Sequence, residues 1–285
     1  MNVTPKTDVK KSTGHLEKYS AEKIKKSLER SGLNAEETKN VQNELESKLT
    51  DQIVSTNEIF DTTKDLIFKK SHFFAGVKYS LKNAILLLGP NGFVFEQFLA
   101  KALAREGYQT KTNIIMQGRC IQHEIDITAQ KDNYQMLIEC KFHNDQDIKN
   151  DLKTVLYVKA RMDDLRMVKE NNFNDFFLVS NTSFSKDAIK FAECSNLKLL
   201  GYNYPEMKTL YQLIEEGHHY PITCLPWIKK SDLKFFFEKN ILTLHELYQS
   251  IQYLTELNYS KELISDFVTN YECHFNNCQK ISEKS

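Results

Sequence analysis

Glu124-Ile125-Asp126-Ile127-Thr128, followed by Leu137-Ile138-Glu139-Cys140-Lys141, is the stretch on which the reading of this chain turns. Aliphatic and polar residues alternate through Glu124–Thr128 and from Ile138 to Lys141, the period of strands that bury one face. Alternation puts Glu139 and Lys141 on the same face of their strand. Twelve residues separate Asp126 from Glu139, and a hairpin connection brings the two carboxylates side by side. Paired carboxylates repel unless a cation lies between them. A hard divalent metal with oxygen ligands, Mg²⁺ or Mn²⁺, meets that need, and Asp126 and Glu139 are its expected ligands. Lys141 then stands close enough to orient, or help deprotonate, a metal-bound water. Cys140 points to the opposite, buried face and is not read as a nucleophile.

Working outward, Phe93 to Glu106 has helical spacing and ends at Gly107. Strand-like pieces follow at Tyr108–Asn113, Ile121–Ala129 and Tyr134–Cys140. A long helix is expected over about 148–171, then a strand at Phe176–Ser180, a helix at Ser185–Cys194 and a strand at Lys198–Tyr202. The order α-β-β-β-α-β-α-β describes an α/β layered domain. Gly89-Pro90-Asn91-Gly92 is the densest cluster of breakers and marks a boundary before it. Beyond Ser231, helices are expected over Asp232–Lys239, Thr243–Leu254 and Ser260–Tyr271. The chain is thus read as α/β and multi-domain: a mostly helical domain with a β-hairpin over 1–89, the α/β domain over 90–218 and a helical region over 219–285.

The Asp126-x12-Glu139-x-Lys141 pattern resembles the core of the PD-(D/E)xK nucleases. Phe93-Val94-Phe95-Glu96, Glu106-Gly107-Tyr108 and His123-Glu124-Ile125-Asp126 are similar to the Mrr-like restriction endonuclease branch over about 92–204. The resemblance implies a mixed sheet flanked by helices and hydrolysis of DNA phosphodiesters. It makes Asp126 and Glu139 metal ligands and Lys141 the catalytic lysine. Glu96 matches the helix carboxylate that supports the metal through water. Glu139 stands where the branch more often has Gln, and it is the better ligand.

The first segment reads as two extended pieces, Thr7–Lys11 and His15–Tyr19, joined at Ser12-Thr13-Gly14. Four helices follow, capped at Ser20, at Asn34 and at Ser55 or Thr56, with the fourth over about 73–88. A hairpin over helix N-termini presents unpaired amides and positive dipole ends to phosphates, and Lys11 and Lys23 add charge-assisted contacts. Lys11, Gly14, Tyr19, Ser20, Lys23 and Ile24 resemble the opening of the ATP-cone domain, and Ser55-Thr56-Asn57-Glu58-Ile59 looks like the start of its third helix. The resemblance implies ATP or dATP as regulator, with Glu17 and Ser20 near the adenine and Thr56 near the phosphates. It also implies a homo-oligomer that responds to nucleotide.

Thirty-eight Lys and Arg balance 38 Asp and Glu, which disfavours a non-specific basic nucleic-acid binder. The first thirty residues do not read as a secretory signal. The longest aliphatic run, Ala84–Leu88, is far short of a membrane span. A cytoplasmic protein without membrane association is expected, and its six cysteines are expected to stay unpaired. Cys273-His274 with Cys278 lacks a second ligand pair for zinc. Lys149, Lys153, Lys159 and Arg161 on the helix after the core face either DNA phosphates or neighbouring carboxylates. His123 is read as a supporting or exposed imidazole. The function these features favour is a nucleotide-regulated, metal-dependent DNA endonuclease of restriction or defence type. A non-catalytic ATP/dATP sensor with a nuclease-like domain, or a structure-specific repair nuclease, are the alternatives.

Overall fold

A computed structural model describes residues 7–11, 14–49, 53–70, 72–89 and 92–275. Ser12, Thr13, Pro90, Asn91 and Cys278, invoked above, lie outside them. The chain divides into two units. One takes the residues up to Leu81, 224–229 and those from Ser250 onward; the other takes 82–223 and 230–249. The residues of the C-terminal helices are divided between the two units.

The first unit opens with β1 (Asp8–Lys10), β2 (Leu16–Lys18), α1 (Ala21–Arg30), α2 (Ala35–Lys48), β3 (Ile53–Ser55), α3 (Thr56–Lys69) and α4 (Phe73–Leu86), the last of which runs on into the second unit. The expected hairpin is the antiparallel pair β1–β2, but β3 adds parallel to β1, giving a three-stranded sheet in the order β2-β1-β3. Three residues are too few for a periodicity signal, so β3 was not legible in advance. Ser20 accepts the Lys23 amide at 3.3 Å and starts α1. Reciprocal side-chain and backbone bonds of Asn34 with Glu37, and of Ser55 with Glu58, start α2 and α3. Val9, Leu28, Val41, Leu45, Leu66 and Ile67 fill the core between them.

The second unit continues with α5 (Phe93–Arg105), β4 (Gln109–Gln117), β5 (Gln122–Lys131), β6 (Tyr134–Lys141), β7 (Lys149–Asn150), α6 (Leu152–Arg166), β8 (Asp175–Ser180), β9 (Ser183–Phe184), α7 (Lys186–Cys194), β10 (Lys198–Leu200) and α8 (Leu210–Glu216). After a single 3-10 turn at Ile222–Cys224 come α9 (Lys230–Glu238) and α10 (Leu244–Gln249), and then α11 (Gln252–Glu256) and α12 (Lys261–Phe275) of the first unit. The expected single helix over 243–254 is two, α10 and α11. The helix expected over 148–171 is shorter at both ends, because Asp151 caps α6 and residues 149–150 form β7 instead.

Five strands form a mixed sheet in the order β10-β8-β6-β5-β4. Strands β4, β5 and β6 run antiparallel, and β6, β8 and β10 run parallel. Ile125, Leu137, Phe176 and Leu178 meet Val155, Val158, Met162 and Leu165 of α6 and Ala188 and Ala192 of α7 in one core. The face of Met136, Ile138 and Val179 looks instead toward Leu99 and Leu103 of α5, where a cavity of about 840 Å³ opens. Among the described residues no helix is long and apolar enough to cross a membrane. Cys273 is disulfide-bonded, against the expectation that the cysteines stay unpaired.

Candidate active site

The ladder between β5 and β6 is in register from Lys131–Tyr134 to Ile127–Ile138. Just past its last pair, the Cys140 amide donates to Oδ2 of Asp126 at 2.7 Å. The side chain of Asp126 is thus anchored where the two strands part, beside Glu139. Burial raises the pKa of Asp126, and the Cys140 amide and the Arg161 guanidinium counter it.

Glu139 is 15 % exposed. Its carboxyl is pushed up to about 7, first by burial and then by the charge of Asp126, with Arg161 pulling the other way. Arg161 donates to Oε1 of Glu139 and to the backbone carbonyl of Glu124. Oε2 of Glu139 is buried and has no hydrogen-bond partner among the described residues. Glu96 stands in the first turn of α5, behind the left-handed Gly92 (φ +84°). Burial, with Asp126 and Glu124 adding their charge, pushes Glu96 up to about 7 as well. Asp126, Glu139, Glu96 and Glu124 therefore share one field of negative charge. Lys141 ends β6 and is exposed. The cavity on the α5 side is lined by none of Asp126, Glu139, Lys141 or Glu96.

Among the described residues Glu139 keeps one buried oxygen without a donor, and burial, helped by neighbouring carboxylates, raises the pKa of Glu139, Glu96 and Asp126. Among the described residues no group of three or more His, Cys, Asp or Glu is arranged to hold a metal. Two carboxylates completed by water and phosphate oxygens suit Mg²⁺, which keeps much of its hydration.

Three features were not legible in the sequence. Arg161 was read as facing either DNA phosphates or neighbouring carboxylates, and it lies in the site on a carboxylate distant in sequence, Glu139. Its signal was its place on α6 beside the buried row Val158, Met162 and Leu165. Lys159 instead pairs with Asp163 on its own helix. His123, read as exposed or supporting, is buried and meets Asp164 at 2.8 Å. Asp164 also accepts the amides of Cys120 at 2.8 Å and Ile121 at 3.4 Å, so it ties the β4–β5 turn to α6. These donors hold its carboxyl down at about 2. The third feature is a buried polar block. Asn150 donates to Ser180 Oγ at 2.8 Å, and Ser180 donates to the carbonyl of Lys141 at 2.8 Å, which fixes the end of β6. The Cys140 thiol is pushed well up by burial and by the carboxylates, consistent with a packing role.

The N-terminal residues singled out above also come together. Glu17 pairs with Lys11 at 2.7 Å and with Lys23 at 3.1 Å, and both hold its carboxyl below the usual range. Gly14 turns the chain at φ +82°. Thr56 Oγ1 donates to the Lys10 carbonyl at 3.3 Å.

Residues 89–205 match the restriction endonuclease family Mrr_cat, and residues 220–269 match the family AF1548-like, C-terminal. An uncharacterized protein of Archaeoglobus fulgidus is 41 % identical over 127 residues, 45 % of this chain and 71 % of that protein. The crystal structure of the protein of unknown function AF1548 is 32 % identical, covers 65 % of this chain and 98 % of its own, and superposes with a TM-score of 0.52. Both family spans lie outside the N-terminal residues 7–88. With an Mrr-like restriction endonuclease domain followed by an AF1548-like C-terminal domain, the chain belongs to the AF1548-like family.

Proposed function

We propose that this chain is a divalent-metal-dependent DNA endonuclease of restriction or defence type, acting through Asp126, Glu139 and Lys141 with Glu96 in support. The observation that carries the reading is the buried Oε2 of Glu139, unpartnered among the described residues and in the field of Asp126 and Glu96. Burial of several carboxylates is costly unless a cation compensates them, and here one guanidinium serves several acids. Asp126 and Glu139 would hold Mg²⁺ or Mn²⁺, which supplies Lewis-acid stabilisation of charge on the phosphate.

The chain's own groups do the rest. Lys141 lies on the strand face of Glu139, with its backbone fixed by Ser180. Its ammonium orients the attacking water and stabilises the charge that develops on the phosphoryl oxygens. Glu96, pushed up to about 7, can hold or release a proton at neutral pH beside Asp126. Arg161 aims Glu139 and favours its ionised form against the larger effect of burial. The experiment is a cleavage assay on plasmid and linear DNA with Mg²⁺ or Mn²⁺, with and without chelator. Metal-dependent nicking supports the reading. Cleavage that persists in chelator, or none on any DNA form, removes it.

The N-terminal cluster supports adenine-nucleotide control of that activity. Lys11 and Lys23 lie beside the N-terminus of α1 and are bridged by Glu17. ATP or dATP phosphates would take over both ammonium groups and release Glu17.

A further inference from the structure

Helix α6 carries Lys153, Tyr157 and Arg161 at intervals of four residues, one line along its surface. The line borders the buried row of Val155, Val158 and Met162 and ends in the candidate site, where Arg161 bonds to Glu139. Tyr157 is 64 % exposed. The Arg161 guanidinium lies 5.6 Å from its ring centroid. Lys153 is exposed and makes no ion pair among the described residues, whereas Lys159 on another side of the helix is taken by Asp163.

A single exposed tyrosine is ordinary. This one differs because its ring lies beside a guanidinium that is itself held by a candidate catalytic carboxylate, with the exposed ammonium of Lys153 one turn away. Alternating cations and an aromatic face make the surface on which unpaired bases stack while phosphates meet charge. A duplex offers no free base face to such a ring, because its bases are already stacked.

We propose that this line is the track for an unpaired DNA strand entering the site. Tyr157 stacks on a base and Lys153 meets a flanking phosphate, while Arg161, held by Glu139 and the Glu124 carbonyl, supports the Tyr157 ring from beneath. The substrate class is therefore DNA that is single-stranded next to the cut. The inference rests on the nuclease reading above and narrows it.

The test measures binding of the full chain, in chelator, to a fluorescent single-stranded DNA, to the same sequence as a duplex and to its RNA counterpart. Tyr157→Ala is expected to weaken the single-strand affinity about ten- to hundredfold and to leave duplex affinity within about twofold. Tyr157→Phe, which keeps the ring, is expected to restore the single-strand affinity. Equal losses on single strand and duplex, no loss on either, or preference for RNA overturns the track. The same DNAs are then incubated with Mg²⁺. Tyr157-dependent binding without cleavage leaves the track standing and removes the nuclease reading. Cleavage with no dependence of binding on Tyr157 does the reverse.

Discussion

At the scale of single residues, the site is a contest between burial and charge. Asp126→Asn keeps an oxygen for the Cys140 amide, which donates at 2.7 Å, and removes one negative charge. Lys141→Ala removes an exposed ammonium and leaves the backbone bond to Ser180 intact. Each substitution is expected to lower the cleavage rate by roughly 10²–10³, the cost typical of losing one positioned charge, with an unchanged circular dichroism spectrum. Undiminished cleavage in either variant would mean that the site lies elsewhere. A second expectation concerns protons. Glu96 and Glu139 both titrate near 7 in the folded chain. Their raised values favour the fold most below the ordinary carboxylate range, an advantage lost as pH rises through 7. Binding a divalent cation requires the ionised forms, so at pH 6 it should expel protons and at pH 8.5 it should not. Titration calorimetry in buffers of different ionisation enthalpy reads this directly. Equal heats across buffers at pH 6 would contradict it.

Single elements are held in place by a few long-range bonds. The turn between β4 and β5 is locked onto α6 by Asp164, which meets His123 and the amides of Cys120 and Ile121. A Cβ at Gly118 would stand 2.1 Å from Asp164 Oδ2 and 2.8 Å from the Ile121 carbonyl. Gly118→Ala is therefore expected to destabilise the chain by about 1–3 kcal/mol, the usual cost of overpacking, as read by denaturant unfolding. The Asp164 carboxyl is depressed to about 2. Its contribution is present above the ordinary carboxylate range and is lost as pH falls toward 2. Asp164→Asn should thus flatten the acid limb of the stability profile and leave the neutral limb parallel to wild type. A steep acid limb in the variant would assign acid sensitivity to other carboxylates. Since β5 reaches the site through this turn, the lock also bears on where Asp126 stands.

On the scale of the whole molecule, the question is coupling between the N-terminal sheet and the nuclease-like domain. Nucleotide can act only if it binds two states or assemblies with different affinity. ATP or dATP is expected to bind the full chain and to shift its sedimentation profile, consistent with a homo-oligomer that responds to nucleotide. Lys11→Ala combined with Lys23→Ala is expected to abolish both effects. Binding that survives the double substitution would place the nucleotide elsewhere, and an unchanged profile at saturating nucleotide would end the regulatory half of the proposal.

What the sequence determined by itself was local. The strand period around Asp126 and Glu139, the caps at Ser20, Asn34 and Ser55, and the helical spacing from Phe93 are written in neighbouring residues, and neighbours set backbone preference. That is why the α/β layering and the adjacency of the two carboxylates could be read in advance, whereas the mixed sheet was implied by the family resemblance. The tertiary structure alone decided that Arg161 reaches back 22 positions to Glu139, that Asp164 reaches back 44 to Cys120, and that β3 joins β1. None of these has a local signature. Each depends on how α6 or a three-residue strand packs once the apolar faces have found one another, and burial then makes pairing of the remaining polar groups obligatory.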